Sequence, residues 1–239
     1  RLLTPPTPHS DLPDAASVGV KGARDLQQSE TPYETWSGTG QFGTLNISPS
    51  ISHALADMGY EEPTPIQERV IPLIRLGQDL VGQAQTGTGK TTAFGLPIIE
   101  IVDNRSRHPQ ALVLTPNREL ALQVSEEISR IGMYGDVKSI AIYGGQPLQP
   151  QIKALRQGVQ VIVATPGRLM DHMRRRTLSL TSIKVVVLDE ADQMLDIGFI
   201  TDIEFILSQV PRSRQTLLFS ATIPPPIRRL TRFYLKNPQ

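Results

Sequence analysis

A chain of 239 residues with 39% hydrophobic content can bury the core of one large domain or two small ones, so a soluble globular protein is the base expectation. The absence of cysteine excludes disulfides and thiolate metal sites and fits a reducing compartment, while His9, His53, His108 and His172 follow no zinc spacing. A net charge of +1 excludes a blanket electrostatic grip on nucleic acid, so any such binding has to come from locally placed groups.

No apolar run approaches the ~18 residues of a membrane span and no charged-then-apolar leader opens the sequence, which points to a soluble, cytoplasmic protein without a membrane partner. The first residue, Arg1, suggests a piece of a longer chain. Residues 1–40 read as a flexible arm: 18 of the 40 are Pro, Gly, Ser or Thr, and no helical or strand period is sustained. Trp36, the single tryptophan, lies near the end of that arm and either packs on the domain or marks a docking motif. The folded domain is expected over residues 41–239.

From Phe42 onward the pattern is regular. Ser48-Pro49 opens a helix, with serine as cap and proline in the first helical position; Ile51, Leu55 and Met58 share a face, and Gly59 stops it. Thr64-Pro65 repeats the device, with Ile66, Val70 and Ile74 on one face and Gly77 as terminator. Short apolar runs then alternate with helical stretches: strands are expected at Asp79 to Gln83, Ala111 to Thr115, Val137 to Ile142, Val159 to Ala164, Lys184 to Leu188 and Gln215 to Phe219. Helices such as Arg118 to Ile131 and Pro147 to Arg156 lie between them. Several of the runs are rich in valine and isoleucine and do not alternate with polar residues, as strands covered on both faces read. The fold class is α/β, a mostly parallel twisted sheet with helices on both faces.

Each polar cluster begins where one of those strands ends: AQTGTGKT after Leu80-Val81, TPNRELA after Leu112 to Leu114, Gly144-Gly145 after Ile140 to Ile142, TPGR after Ile162-Val163, DEAD after Val185 to Leu188, and SAT after Leu217 to Phe219. In open parallel sheets that edge is where ligands bind, so one composite site is expected. In the first cluster Thr86, Gly87, Thr88 and Gly89 can turn successive backbone N–H groups toward an anion at the start of a helix. Lys90 would then reach the outer phosphates, and the Thr91 hydroxyl would bind magnesium. The first glycine of the general phosphate-loop pattern is replaced by Ala84. Asp189 and Glu190 end an apolar strand as a magnesium-binding aspartate and a water-orienting or water-deprotonating glutamate would. Arg118 and Arg168 are rim arginines suited either to phosphate or to a salt bridge, and Arg174-Arg175-Arg176 reads as a solvated helix end or an accessory RNA contact.

Together these motifs resemble the first RecA-like domain of the DEAD-box ATP-dependent RNA helicases, over residues 42–239. PTPIQ at Pro63 to Gln67 is similar to the family's adenine-reading Q motif, with Phe42 as its isolated upstream aromatic; the Gln67 amide could donate and accept together against the edge of adenine. The resemblance implies a RecA-like P-loop NTPase fold, ATP and Mg as cofactors, and RNA as partner. It places Gln85 in the ATP site with residues 86–91, Lys90, Asp189 and Glu190 in catalysis, and Thr91 and Asp189 on the metal. Pro116, Arg118, Gly145, Thr165, Gly167 and Arg168 would belong to the RNA surface, and Asp192, Ser220 and Thr222 would couple nucleotide state to RNA binding. The family usually has threonine at Asn117 and arginine at Gln193. A second RecA-like domain with arginine fingers is expected after Gln239, and without it the domain should bind ATP weakly, hydrolyse it slowly and not unwind duplexes. An ATP-gated RNA clamp or assembly platform would use the same motifs, and a P-loop kinase or transport ATPase would lack Gln67 and TPGR.

Overall fold

The computed structural model describes residues 40–85 and 87–239. The arm read over residues 1–40, Trp36 included, therefore lies outside the described residues apart from Gly40, and so does Thr86 of the phosphate loop. A two-residue antiparallel hairpin, β1 (Gln41–Phe42) and β2 (Leu45–Asn46), opens the domain. Pieces this short leave no period to read, and neither was foreseen. Helix α1 (Pro49–Asp57) starts where Ser48 Oγ accepts the Ile51 N–H, and α2 (Pro65–Arg75) follows Thr64.

Then β3 (Leu80–Gln83), α3 (Lys90–Ile101), β4 (Ala111–Leu114) and α4 (Arg118–Gly132) alternate, followed by β5 (Ser139–Ile142), α5 (Leu148–Gln157), β6 (Val161–Ala164) and α6 (Pro166–Arg174). The chain closes with β7 (Val185–Leu188), α7 (Ala191–Asp196), α8 (Ile200–Gln209), β8 (Gln215–Ser220) and α9 (Pro225–Tyr234). All six expected sheet strands form, each trimmed or extended by no more than a residue or two at its ends. They make one parallel sheet in the order β3-β8-β7-β4-β6-β5.

The lack of alternation along these strands has a simple cause: both faces are buried, each in its own core. Ala111, Val113, Val161, Val163, Val185, Val187, Leu217 and Phe219 point into one core with residues of α1 to α4. Leu112, Leu114, Ile162, Ala164, Val186, Leu188 and Leu218 point into the other with residues of α6 to α9. Adjacent residues of a strand face opposite ways, so β4, β6 and β7, buried at every position, are apolar throughout, whereas the edge strands β3 and β5 are partly buried and β8 has polar residues at both ends.

Parallel pairing brings all the C-terminal ends to one rim. The register sets Gln83 beside Ser220, Leu188 beside Leu218 and Leu114, and Ala164 beside both Leu114 and Ile142. The polar residues that follow each strand are thus neighbours in space despite their separation in sequence. Among the described residues no helix is long and apolar enough to cross a membrane.

Candidate nucleotide and nucleic-acid site

The phosphate loop between β3 and α3 is shaped by two glycines in the left-handed region, Gly87 at φ 79° and Gly89 at φ 85°. At Gly89 a side chain is excluded twice, because a Cβ there would also stand 2.6 Å from Gln67 Nε2. The loop is held from outside by the preceding motif: Thr64 Oγ1 donates to the Thr88 carbonyl at 3.1 Å and Gln67 Nε2 to the Gly89 carbonyl at 3.2 Å. Thr88 Oγ1 closes the loop on itself through the Gln85 carbonyl. Thr91 follows at the start of α3, where unpaired backbone N–H groups and the helix dipole favour an anion.

Gln67 differs from the expectation of an adenine-reading amide. Its side chain is fully buried, its oxygen accepts the Thr64 N–H at 2.9 Å and its nitrogen donates one of its two N–H groups to the Gly89 carbonyl. In this geometry the amide links the start of α2 to the phosphate loop. Phe42 also differs: it is 2% exposed, packed in the core with Leu45 and Ile47, and the structure does not bring it into the open cleft. A hairpin this short can bury its one large ring only by folding it under the domain, which is worth about 1.5–3 kcal/mol. The aromatic side chain that does line the cleft is Tyr60, just upstream of Thr64.

The cleft has a volume of about 340 Å³ and is bounded by Tyr60, the loop glycines, Lys90, Thr91, Glu127 and the acids that end β7. Lys90 and Asp189 are both buried and their charged atoms are 3.5 Å apart. Burial pushes the Asp189 carboxyl above its ordinary range, against the pull of Lys90. Glu190 is also raised, by burial first and by Asp189 next to it. Its backbone lies in the left-handed region at φ 51°, a strained conformation for a glutamate that aims the carboxylate into the cleft as α7 begins.

The donor set suits a small hard cation. Thr91 offers a hydroxyl and Asp189 a carboxylate, both on the wall of the cleft, while the positively polarised start of α3 serves the anion such a cation would accompany. No cluster of three acidic or histidine ligands exists among the described residues. One or two oxygen ligands from protein, with the remainder left to phosphate and water, is how magnesium is held, whereas calcium and zinc call for denser protein cages.

Glu127 of α4 was not foreseen. It lines the same cleft, accepts a hydrogen bond from Thr92 Oγ1 at 2.7 Å and lies beside Thr91; burial raises its pKa. In sequence it is one of two adjacent glutamates on an amphipathic helix, and nothing local distinguishes it from Glu126.

Between the loop and the acids lies the end of β8. The Ser220 carbonyl accepts the Ala84 N–H at 3.2 Å, and Ser220 Oγ accepts the Asp192 N–H at 3.1 Å. Thr222 donates twice to Asp192 Oδ2, from its N–H and from Oγ1, each at 2.9 Å. Gln83 Nε2 reaches the Ala221 carbonyl at 3.0 Å. Of the three residues named for coupling, Asp192 thus bonds both Ser220 and Thr222, and Ser220 is also joined to the strand that leads into the glycine loop. Gln85 and Gln193 are exposed at the mouth beside Asp192.

The other half of the rim, after β4, β5 and β6, gathers the remaining residues. Arg118 stands 5.0 Å over the Tyr143 ring, and Arg168 Nη2 donates to the Gln146 carbonyl at 3.0 Å. Gly145, at φ 75°, and Gly167 are exposed, and Thr165 is half-buried. Pro116 is buried, so its ring shapes the turn before α4 and cannot itself touch a ligand. Asn117, where the resembling family usually has threonine, caps α4 by accepting the Leu120 N–H at 2.9 Å. Arg175 pairs with Asp171 on an exposed helix end, the first of the two alternatives given for the arginine run.

Comparison with known proteins agrees with this geometry. The DEAD/DEAH box helicase family model matches residues 64–230. The ATP-dependent RNA helicase CshA of Listeria monocytogenes is 51% identical over 199 residues, 83% of this chain and 38% of that protein. The DEAD-box ATP-dependent RNA helicase CshA of Geobacillus kaustophilus is 54% identical over 198 residues, 83% of this chain and 42% of that protein. This chain therefore spans about two fifths of the length of these relatives. Among solved structures, a DEAD box protein from the hyperthermophile Methanococcus jannaschii superposes with a TM-score of 0.77 at 43% identity, over 82% of this chain and 54% of that one. A hypothetical ATP-dependent RNA helicase from Sulfolobus tokodaii gives 0.75 at 41% identity, over 81% and 56%.

Proposed function

This chain belongs to the DEAD/DEAH box helicase family, and on that premise we propose that residues 41–239 are the ATP-binding first domain of an ATP-dependent RNA helicase, with residues 1–40 an appended arm. The observation that carries the reading is the Lys90–Asp189 pair, which joins the phosphate loop to the acid-ended strand at 3.5 Å inside one cleft. When ATP enters, Lys90 turns from Asp189 to the outer phosphates, and the loop N–H groups, with Gln85 and residues 86–91, cradle the rest. Bound magnesium would neutralise phosphate charge, and Thr91 and Asp189 are the side chains that would hold it.

Glu190 orients the attacking water for in-line displacement at the γ-phosphate and takes its proton; a raised pKa makes it a better base than an exposed carboxylate. RNA binds along the other half of the rim through Arg118, Gly145, Thr165, Gly167 and Arg168. Asp192, Ser220 and Thr222 pass the nucleotide state between the halves. A second RecA-like domain supplies arginine fingers, worth on the order of 10³ to 10⁵ in rate in related phosphoryl-transfer enzymes. The domain by itself therefore turns over slowly and does not unwind. The test is Glu190→Gln in the full natural protein: an ATP-bound state that accumulates supports the reading, and unchanged RNA-stimulated turnover removes Glu190 from its role.

A further inference from the structure

Gln151 of α5 and His172 of α6 belong to none of the motifs, yet they are almost wholly buried, at 7% and 0% exposure. Buried polar side chains are costly unless their hydrogen bonds are met, and theirs are met by a single continuous set. Gln151 Nε2 donates to the Tyr143 carbonyl at 3.1 Å. Gln151 Oε1 accepts from Arg168 Nη1 at 3.3 Å and from His172 Nε2 at 3.0 Å. On the far side His172 Nδ1 meets Thr177 Oγ1 at 2.8 Å.

The chemistry of the partners fixes the orientation of the Gln151 amide and, through it, the proton on His172 Nε2. A carbonyl can only accept and a guanidinium can only donate, so Tyr143 and Arg168 independently turn the amide the same way. The amide oxygen then requires a proton on His172 Nε2, and in the neutral ring that leaves Nδ1 as an acceptor beside the Thr177 hydroxyl, which also reaches the His172 carbonyl at 3.1 Å. The set joins the loop after β5, through Tyr143, to the turn after β6, through Arg168. Arg168 is held at a second point by the Gln146 carbonyl. Two of its five N–H donors are thereby used, and the others remain for a ligand.

We propose that Gln151, backed by His172 and Thr177, is a positioning residue that holds the Arg168 guanidinium at the angle needed to grip an RNA phosphate; the inference rests on the RNA-binding reading of the rim. A planar guanidinium recognises phosphate by a directed fork, so its orientation governs the contact as well as its charge. Gln151 does not touch the RNA. It also locks the spacing between the β5 and β6 loops, and so the spacing between the phosphates they reach.

The experiment compares the full natural protein with Gln151→Met, which keeps the volume and loses the bonds, with Arg168→Ala, and with the double variant, using a single-stranded oligoribonucleotide over a range of salt. Gln151→Met is expected to weaken RNA binding about tenfold and to flatten the slope of log affinity against log salt by about 0.7, as Arg168→Ala does, although it deletes no charge. ATP affinity should stay the same, KM for RNA should rise while kcat holds, and the double variant should bind no more weakly than Arg168→Ala. A folded Gln151→Met with unchanged RNA affinity and salt slope, beside a weakened Arg168→Ala, overturns the positioning role alone. An Arg168→Ala with unchanged RNA binding overturns the RNA reading and the inference with it. If Gln151→Met does not fold, Thr177→Val cuts the set at its far end: a rise in KM for RNA at constant ATP affinity supports the role, and an unchanged KM overturns it.

Discussion

Thr92 and Glu127 are joined by a 2.7 Å hydrogen bond that ties α3 to α4 along the wall of the cleft. Thr92 is fully buried, so its hydroxyl has no solvent to fall back on. Glu127→Ala should therefore cost about 1–3 kcal/mol, the penalty of leaving a buried donor unmet, read as a lower midpoint in urea unfolding. Adding Thr92→Val to that variant should recover part of the loss, because no orphaned hydroxyl is left. An unchanged midpoint in Glu127→Ala would show that the bond does not bear on stability, and equal midpoints for the single and double variants would show that the orphaned hydroxyl is not the source of the loss.

The two bonds of Gln67 give a second expectation. Gln67→Glu keeps the acceptor for the Thr64 N–H but sets a carboxylate against the Gly89 carbonyl, so it should loosen the phosphate loop and weaken ATP binding by roughly tenfold, measured with a fluorescent nucleotide. GTP supplies the control. If the amide acts only on the loop, as its buried geometry implies, ATP and GTP affinity should fall together; a selective loss of ATP would mean that it turns out to read the base.

Thr222 holds Asp192 with two of its own groups. Thr222→Val keeps the N–H and the shape and removes only the Oγ1 bond. RNA-stimulated ATPase should then persist within a few-fold, while strand displacement per ATP drops by about tenfold, a loss of roughly 1.4 kcal/mol in coupling. Displacement and hydrolysis are to be measured on the same full natural protein, and a parallel fall in both would assign Thr222 to chemistry instead of coupling.

His172 gives a pH dependence. Burial, with Arg168 and Arg175 nearby and Asp171 opposing them, holds its pKa below the ordinary 6.5. Below 6.5 the unfolded chain takes up a proton that the folded ring resists, so the unfolded state binds more protons and stability falls as pH drops. Unfolding free energy should decline from pH 7.5 to 5.5, and His172→Gln should flatten that segment. A decline of the same size in His172→Gln would place the titration elsewhere.

Much of the fold could be read locally because parallel strands buried on two faces must be apolar at every position, and because Ser48-Pro49, Thr64-Pro65 and the glycines that follow mark helix ends through backbone geometry alone. The site was legible for a related reason. Asp189 directly follows β7, Ser220 ends β8, and Lys90, Arg118 and Arg168 begin or lie in the first turn of the helix after β3, β4 and β6, so once the sheet is parallel each has a position on one rim. Local propensity was less reliable inside the core. Pro97 lies within α3, a place where proline ordinarily breaks a helix, because the surrounding residues Thr92 to Ile99 are all buried and their packing outweighs the lost bond.

What the amino-acid sequence by itself determined was the α/β alternation, the glycine turn between β3 and α3, and the rim on which the six polar clusters fall. Only the tertiary structure decided what the side chains there touch: that the Gln67 amide bridges Thr64 and Gly89, that Phe42 and Pro116 are buried, that Tyr60 and Glu127 line the cleft, and that Gln151 and His172 stand behind Arg168. The division follows from the range of the forces. Backbone form answers to neighbours within a few residues, whereas a buried polar group takes its partner from whatever donor or acceptor packing brings within about 3 Å, and distance along the chain does not enter.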